Sequence, residues 1–165
     1  TSGNIKLECM KLDFTELVLQ TSAEYEEKFE ERNLTEIQHL PKEKALVYID
    51  GRRTWRILAN LYNNAAKYAM TGSRIYTDLK VTEGAVIFSI KNISEQPLNI
   101  NADQLTERFI RGDISRSTEG SGLGLSIAQT LTEMQKGKFE LYLDGDLFKA
   151  TVTFPKVQEE QSTQI

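Results

Sequence analysis

The chain is poor in several residue types, and each scarcity closes off a class of function. It has one cysteine and one histidine in 165 residues. Cys9 has no second cysteine to pair with, so a disulfide framework is excluded, and with His39 alone beside it a zinc centre is excluded too. No apolar run is long enough to cross a bilayer, and no secretory signal opens the chain. A basic excess is also missing: 20 Lys and Arg stand against 24 Asp and Glu, a formal charge of −4. Non-specific nucleic-acid binding needs such an excess to displace counterions, so no nucleic-acid partner is expected. What remains is of globular composition, 39% hydrophobic and 27% charged, at a length that suits one domain. The expectation is a soluble intracellular domain, or the soluble piece of something larger.

Residues 5–11 alternate apolar and polar side chains, with Ile5, Leu7 and Cys9 on one face of an expected strand. Asp13 offers an N-cap and Glu16 a capping box for a helix reaching about Glu31, with Leu17, Ala23 or Tyr25, and Phe29 as core contacts. Its glutamates (24, 26, 27, 30, 31) read as a solvated face. Strands Leu34–Leu40 and Ala45–Asp50 are joined at Pro41-Lys42, and a helix runs from Gly51 to about Met70. A hairpin, Arg74–Glu83 with Ala85–Ile93, turns at Glu83-Gly84. A long polar stretch follows, Ser94–Ser121, with one helical piece at Ala102–Phe109; loops of this length are commonly functional. Helix Gly122–Gln135 and strands Lys138–Asp144 and Leu147–Pro155 complete the pattern, ahead of a polar tail. Without a βαβ rhythm, the natural architecture is a two-layer α/β sandwich.

Three places carry chemistry. On the helix after Gly51, Asn60, Asn64 and Lys67 fall within about 60° of one another at 100° per residue. Leu58, Leu61, Tyr62, Ala65 and Ala69 occupy much of the other side. Asparagine is a poor helix-interior residue, amide oxygens are hard ligands suited to Mg²⁺, and lysine supplies a point charge for phosphate. A plain polar face has the same spacing. The second place is Gly120-Ser121-Gly122-Leu123-Gly124-Leu125 at a helix entry, where bare backbone amides can meet an anion. It lacks the lysine of a P-loop and the last glycine of a Rossmann fingerprint. The third is the run of Arg108, Arg111 and Arg116 beside Phe109, whose guanidinium groups suit phosphate oxygens or a solvated surface.

In this order the three places are specific. Asn60-Leu-Tyr-Asn63-Asn64-Ala65-Ala66-Lys67-Tyr68 resembles the N box of sensor histidine kinases. Glu107-Arg108-Phe109-Ile110-Arg111 resembles their F box, and Gly120 to Leu125 their second glycine box. The resemblance extends from the first strand to Pro155. It implies a Bergerat (GHKL) ATPase fold: a mixed, mostly antiparallel sheet packed on about three helices, with residues 1–155 as the catalytic ATP-binding domain and 156–165 as a tail. It further implies ATP and Mg²⁺ as cofactors. Asn64 would hold the metal with Asn60 in support, Lys67 would touch the phosphates, and Tyr68 would flank the nucleotide. Residues from about Pro97 to Ser121 would form a lid. Within it Arg108 and Phe109 belong to the nucleotide site and Arg111 would reach the γ-phosphate. Gly120, Gly122, Leu123, Gly124 and Leu125 would line the phosphate path.

Two departures stand out. Where the family has the glycine box Asp-x-Gly-x-Gly, this chain reads Asn92-Ile93-Ser94-Glu95-Gln96, so Asn92 takes the place of the adenine-reading aspartate. The family's phosphoacceptor is a histidine on a separate helical dimerisation domain, and His39 has no such surroundings. The reading is therefore a catalytic fragment of a protein-histidine kinase, the cytoplasmic part of a membrane-anchored homodimeric sensor. Its expected partners are ATP, that dimerisation domain and a response regulator. The alternatives are a degenerate nucleotide-binding regulatory module, motivated by the altered glycine box, and a serine kinase of the anti-sigma-factor type.

Overall fold

The computed structural model describes residues 6–98 and 121–158. Strand β1 (Cys9–Asp13) leads into helices α1 (Phe14–Glu24) and α2 (Glu26–Glu31). Strands β2 (Thr35–His39) and β3 (Leu46–Asp50) precede the long helix α3 (Gly51–Tyr68). After β4 (Arg74–Val81) and β5 (Ala85–Ile93), helix α4 (Ser121–Met134) leads into β6 (Lys138–Asp144) and β7 (Leu147–Pro155). Five strands form one sheet in the order β2-β4-β5-β7-β6, and β1 pairs with β3 in a separate two-stranded sheet. This is the α/β sandwich the sequence implies.

The hairpins are local and match their sequence signals. The β6–β7 strands have the expected bounds, with Gly145 at φ 62° in the turn, and β4 pairs antiparallel with β5. Non-local features depart from the reading. β2 and β3 do not pair with each other: β3 joins β1, while β2 lies parallel to β4 with β3 and α3 between them in the chain. This one parallel pair among antiparallel ones makes the sheet mixed, as the family resemblance implies. The first strand begins later than read, at Cys9. The first helix also breaks, at Tyr25, whose φ of −103° and ψ of 4° interrupt it. The break seats the Tyr25 ring 5.9 Å from that of Tyr62. Core contacts on α1 are Phe14, Val18 and Thr21. Leu17 and Tyr25 pack against the core half-buried and Phe29 lies within it, as expected, whereas Ala23 is exposed.

The core lies between the helices and one face of the large sheet. Along β5, Val86, Phe88, Ile90 and Asn92 are buried at alternate positions, and Phe148, Ala150, Val152 and Phe154 repeat the pattern on β7. Phe14 reaches the rings of Phe88 and Phe154, each at 6.1 Å. Tyr62 of α3 stacks on Phe29 at 5.9 Å and Phe88 at 6.5 Å. Beneath it sits a carboxylate. Glu36 accepts hydrogen bonds from Tyr62 at 2.7 Å, Thr77 at 2.8 Å, Ser22 at 2.6 Å and Gln38 at 3.2 Å. Burial, together with the adjacent Glu36 charge, pushes the Tyr62 hydroxyl far above its ordinary pKa, so it remains a donor. The glutamates of α1 and α2 are exposed, as a solvated face requires.

Helices α2 and α4 end alike. Leu34 N–H donates to Phe29 O and Asn33 N–H to Glu30 O; Gly137 N–H donates to Thr132 O and Lys136 N–H to Glu133 O. Both are Schellman ends, with Asn33 at φ 59° and Lys136 at φ 67° taking the left-handed position. Gly137 thus serves a different need from backbone freedom. A Cβ there would stand 2.5 Å and 2.7 Å from ring carbons of Phe154, which is 1% exposed, and 2.9 Å from the Thr132 methyl. Gly137→Ala is expected to lower stability by roughly 1–3 kcal/mol through overpacking. Gly84→Ala, at a position with nothing within 4 Å, leaves stability unchanged or slightly higher. Thermal denaturation of the two variants checks the contrast; equal melting temperatures would contradict this packing.

Candidate functional site

Helix α3 divides its residues between two environments. Leu58, Leu61, Tyr62, Ala65 and Ala66 are buried, while Asn60, Asn63, Asn64 and Tyr68 are half-buried and Lys67 is exposed. The amide-bearing face is thus outside the core yet partly covered. What covers Asn60 is α4. A Cβ built at Gly124 would lie 3.9 Å from the Cβ, Cγ and Oδ1 of Asn60. The N-terminal turn of α4, the positive end of its dipole, therefore comes up against the asparagine face. Leu125 and Ala128, 1% and 0% exposed, anchor this helix in the core. Leu125 is a packing residue that fixes where the glycines sit.

Asn60 Nδ2 is shielded from solvent and has no hydrogen-bond partner among the described residues. An orphaned buried donor is costly, and such groups are normally satisfied. An acceptor oxygen arriving between α3 and α4 would relieve it. Among the described residues no group of three or more His, Cys, Asp or Glu could hold a metal ion. A cation here would rely on amide oxygens, water and the oxygens of a bound anion, which is the donor set Mg²⁺ tolerates. Asn64, on the same face, is positioned to contribute one.

Asn92 sits near the end of β5, 4% exposed, on the face turned toward the helices and opposite Phe148 of β7. The chain leaving β5 runs against the end of α3: Met70 N–H donates to Ile93 O and Glu95 N–H to Tyr68 O, each at 2.8 Å. Asn92 and Tyr68 are thereby brought to the same end of the molecule. Arg108, Phe109, Arg111 and Gly120 lie outside the described residues, as do most of the expected lid and the helical piece Ala102–Phe109. Gly122 and Leu123 fall in the first turn of α4. His39 is at the surface, its Nδ1 2.7 Å from Asp78 Oδ1.

Sequence reasoning missed the residues that hold α3 in place. Asp50 caps it, accepting from Arg53 N–H at 3.1 Å and from Glu8 N–H at 2.9 Å. Asp50 N–H donates to Gln135 Oε1 at 2.7 Å, and Gln135 Nε2 donates to Leu131 O, joining the end of α4 to the start of α3. An aspartate just before a glycine-initiated helix was the available signal. Burial works to raise the Asp50 pKa. The Glu8 and Arg53 amides, the Arg53 guanidinium and the Arg52 amide outweigh it and hold the carboxyl below its ordinary value.

A sandwich whose asparagine-bearing helix faces a glycine-rich helix entry defines an ATPase domain of the Bergerat type. Residues 49–162 match the family described as histidine kinase-, DNA gyrase B- and HSP90-like ATPase. The histidine protein kinase SaeS of Staphylococcus aureus is 31% identical over 156 residues, covering 91% of this chain and 44% of its own length. The catalytic domain of histidine kinase ThkA, in a nucleotide-free form, superposes with a TM-score of 0.78 at 24% identity, covering 91% of this chain and 97% of that one. Full-length ShkA in complex with AMPPNP gives 0.76 at 20% identity over 94% of this chain and 33% of that one. ThkA bound to the response regulator protein TrrA gives 0.73 at 24% identity, over 92% and 42%. The chain belongs to this ATPase family, as a catalytic ATP-binding domain of the sensor-histidine-kinase type. It spans less than half the length of the curated relative SaeS. No helix among the described residues is long and apolar enough to cross a membrane.

Asp50 gives the site helix a pH signature. A carboxylate with a lowered folded-state pKa contributes its full stabilisation above the unfolded value, about 3.9. That contribution is lost as pH falls through the folded value. Asp50→Asn places an NH₂ group among donors and is expected to cost roughly 1–3 kcal/mol at neutral pH. The gap from the wild type should close on acidification below the ordinary carboxylate range. Denaturant unfolding at pH 7 and at acid pH measures it; a gap of constant size would refute the assignment.

Proposed function

We propose that this domain binds Mg-ATP between α3 and α4 and transfers the γ-phosphoryl group to a histidine on a separate dimerisation domain. The observation that carries the reading is the orphaned, buried Asn60 amide set against Gly124. In the transfer, the bond between the γ-phosphorus and its bridging oxygen breaks as a bond to the imidazole nitrogen forms. ADP leaves, and the imidazole proton passes to solvent. Asn60 donates to a phosphate oxygen, Lys67 adds positive charge at the phosphates, and the α4 amides around Gly122, Leu123 and Gly124 cradle them. Asn64, with Asn60 in support, would hold Mg²⁺, which when bound would neutralise charge on the phosphate oxygens. Tyr68 and Asn92 form the base end of the site. Arg108, Phe109 and Gly120 complete the nucleotide site. Arg111 stabilises the γ-phosphate charge, so its loss slows transfer more than it weakens binding.

The same reading makes the chain the domain of a sensor kinase whose product is passed to a response regulator, as the ThkA complex with TrrA illustrates for its own pair. We assign residues 1–155 to the domain and 156–165 to a tail. The full sensor would be a membrane-anchored homodimer with this domain in the cytoplasm. The replacement of the glycine box at 92–96 favours a second reading, a regulatory module that binds nucleotide without transferring phosphate. Adding a cognate histidine domain to the Mg-ATP complex separates the two: acid-labile phosphate supports the kinase. Labelled phosphate on His39 would refute a separate acceptor.

Asn64→Ala should abolish Mg-dependent ATP binding and leave stability equal or higher by about half a kcal/mol, because alanine is the better helix former. Calorimetric titration beside a melting curve tests it. Unaltered Mg-ATP affinity in the folded variant would remove Asn64 from the site.

Asn92 presents both a donor and an acceptor, which can answer the N6 amine and a ring nitrogen of adenine together. Asn92→Leu is expected to weaken ATP binding by about 1 kcal/mol or more, the worth of a neutral hydrogen bond. Asn92→Asp is expected to sharpen the preference for ATP over GTP. Displacement of a fluorescent nucleotide by ATP and GTP reads both; wild-type ATP affinity in Asn92→Leu would show that Asn92 does not touch the base.

A further inference from the structure

The segment that stands in place of the family's glycine box is tied down rather than free. Ser94 N–H donates to Asp146 O at 2.7 Å, Glu95 N–H to Tyr68 O at 2.8 Å, and Gln96 N–H to Ser94 Oγ at 3.3 Å. Ser94 also forms an isolated bridge with Ala69. One side chain crosses all of this. Arg32, at the end of α2, donates through Nη1 to Ala66 O at 2.8 Å and Lys67 O at 3.0 Å. Through Nη2 it donates to Thr71 Oγ1 at 3.0 Å and to Glu95 Oε1 at 2.5 Å. Its own carbonyl accepts from Gly72 N–H at 3.1 Å, and Gly72 sits at φ 84°.

The last carbonyls of a helix lack intrahelical partners, and a cation near them is favoured. At the end of α3 each of four is met: Ala65 O by Ala69 N–H, Ala66 O and Lys67 O by Arg32, and Tyr68 O by Glu95 N–H. An exposed ion pair alone contributes little, and Glu95 is 48% exposed. Here the planar guanidinium is already fixed by two helix carbonyls, so its remaining edge can hold the carboxylate in one place. The ion pair therefore positions a backbone segment instead of merely joining two surface charges.

We propose that Arg32 and Glu95 form a clamp that sets the base end of the nucleotide site, replacing by a rigid strap what a glycine loop supplies by wrapping the base. This rests on the nucleotide reading above. The clamp acts through Tyr68, whose carbonyl the strap holds, and through Asn92, three residues before Glu95. Neither Arg32 nor Glu95 is placed against nucleotide, so they are positioning residues. Their effect falls on base recognition: ATP binding depends on the clamp, whereas a nucleotide whose base fits Asn92 poorly gains little from it.

The test measures displacement of a fluorescent nucleotide by Mg-ATP and Mg-GTP, with melting curves, for wild type, Arg32→Ala, Arg32→Lys and Glu95→Gln. Arg32→Ala should weaken ATP about tenfold and GTP much less, so that the ATP-to-GTP preference collapses. Arg32→Lys keeps the charge but cannot bridge the carbonyls and Glu95 together, and it should recover only part of the preference. Glu95→Gln leaves the helix end capped and should lower the preference without lowering the melting temperature. This variant decides the matter if Arg32→Ala fails to fold. Parallel loss of ATP and GTP affinity, or an unchanged preference in folded Arg32→Ala or Glu95→Gln, overturns the clamp while leaving the nucleotide site standing. Failure of the wild type to bind Mg-ATP overturns the nucleotide reading itself and the clamp with it.

Discussion

The two ends of α3 are the constraint on which the rest depends. A helix that must bury Leu58, Leu61 and Tyr62 on one side and present Asn60 and Asn64 on the other tolerates little rotation or sliding. Rotation by one residue, 100°, would take an asparagine toward the core or a leucine toward the site. Its start is fixed by Asp50, which caps the helix and draws in Glu8 and Gln135. Its end is fixed by Arg32 and the amide of Glu95. The pins come from segments far apart in the chain, so the helix is registered against the whole fold and not only against its neighbours.

The polar group under α3 adds a further degree of specification. Four donors converge on the Glu36 carboxylate from α1, α3, β4 and β2 itself. A half-buried carboxylate with fewer partners would be a liability; with its oxygens answered, it fixes the helix layer relative to the edge strand β2. An inward-pointing charge on an edge strand also discourages pairing with another chain. The aromatic contacts of Tyr62 supply apolar area at the same point, and its hydroxyl supplies direction. Packing by area alone could not distinguish adjacent rotational settings of α3; the Tyr62–Glu36 bond can.

How much of this is legible in the sequence depends on how local its causes are. The hairpins of β4–β5 and β6–β7 are written in alternating side chains and short glycine turns, and their strands are found within a residue or two. The break at Tyr25 is not written locally, because tyrosine is acceptable in a helix; the ring it meets there, that of Tyr62, lies far along the chain. The parallel pairing of β2 with β4 is equally non-local, since neither strand specifies its partner. For the site, the asparagine spacing on α3 and the glycines entering α4 are visible in sequence, while their proximity, through Gly124 and Asn60, is a fact of packing. Arg32, Gln135 and Glu36 gave no signal at all, because a single polar residue becomes meaningful only once its distant partners are known.

On the proposed reading, the altered segment after β5 changes a site's chemistry while the architecture is kept. Glycines let a backbone approach a ligand closely and adopt conformations closed to other residues. Ser94 and Gln96 give up that freedom. In exchange, Ser94 Oγ accepts a bond from Gln96 N–H that no glycine could accept, while Glu95, at the variable position between the two, makes the ion pair with Arg32. On the proposed reading, the base end of the site is ordered by contacts within the protein before any ligand arrives. A preformed site of this kind loses less conformational freedom on binding than a loop that must close. It also adapts less to a ligand of another shape. If Asn92 reads the base as proposed, the neutral residue gives up charge-assisted strength, and the tied-down surround would compensate by holding the weaker bond in good geometry. On that proposal the asparagine and the strap are two parts of one solution, and a strap without the asparagine, or the reverse, would be expected to recognise its base less well than either this arrangement or the glycine-rich one.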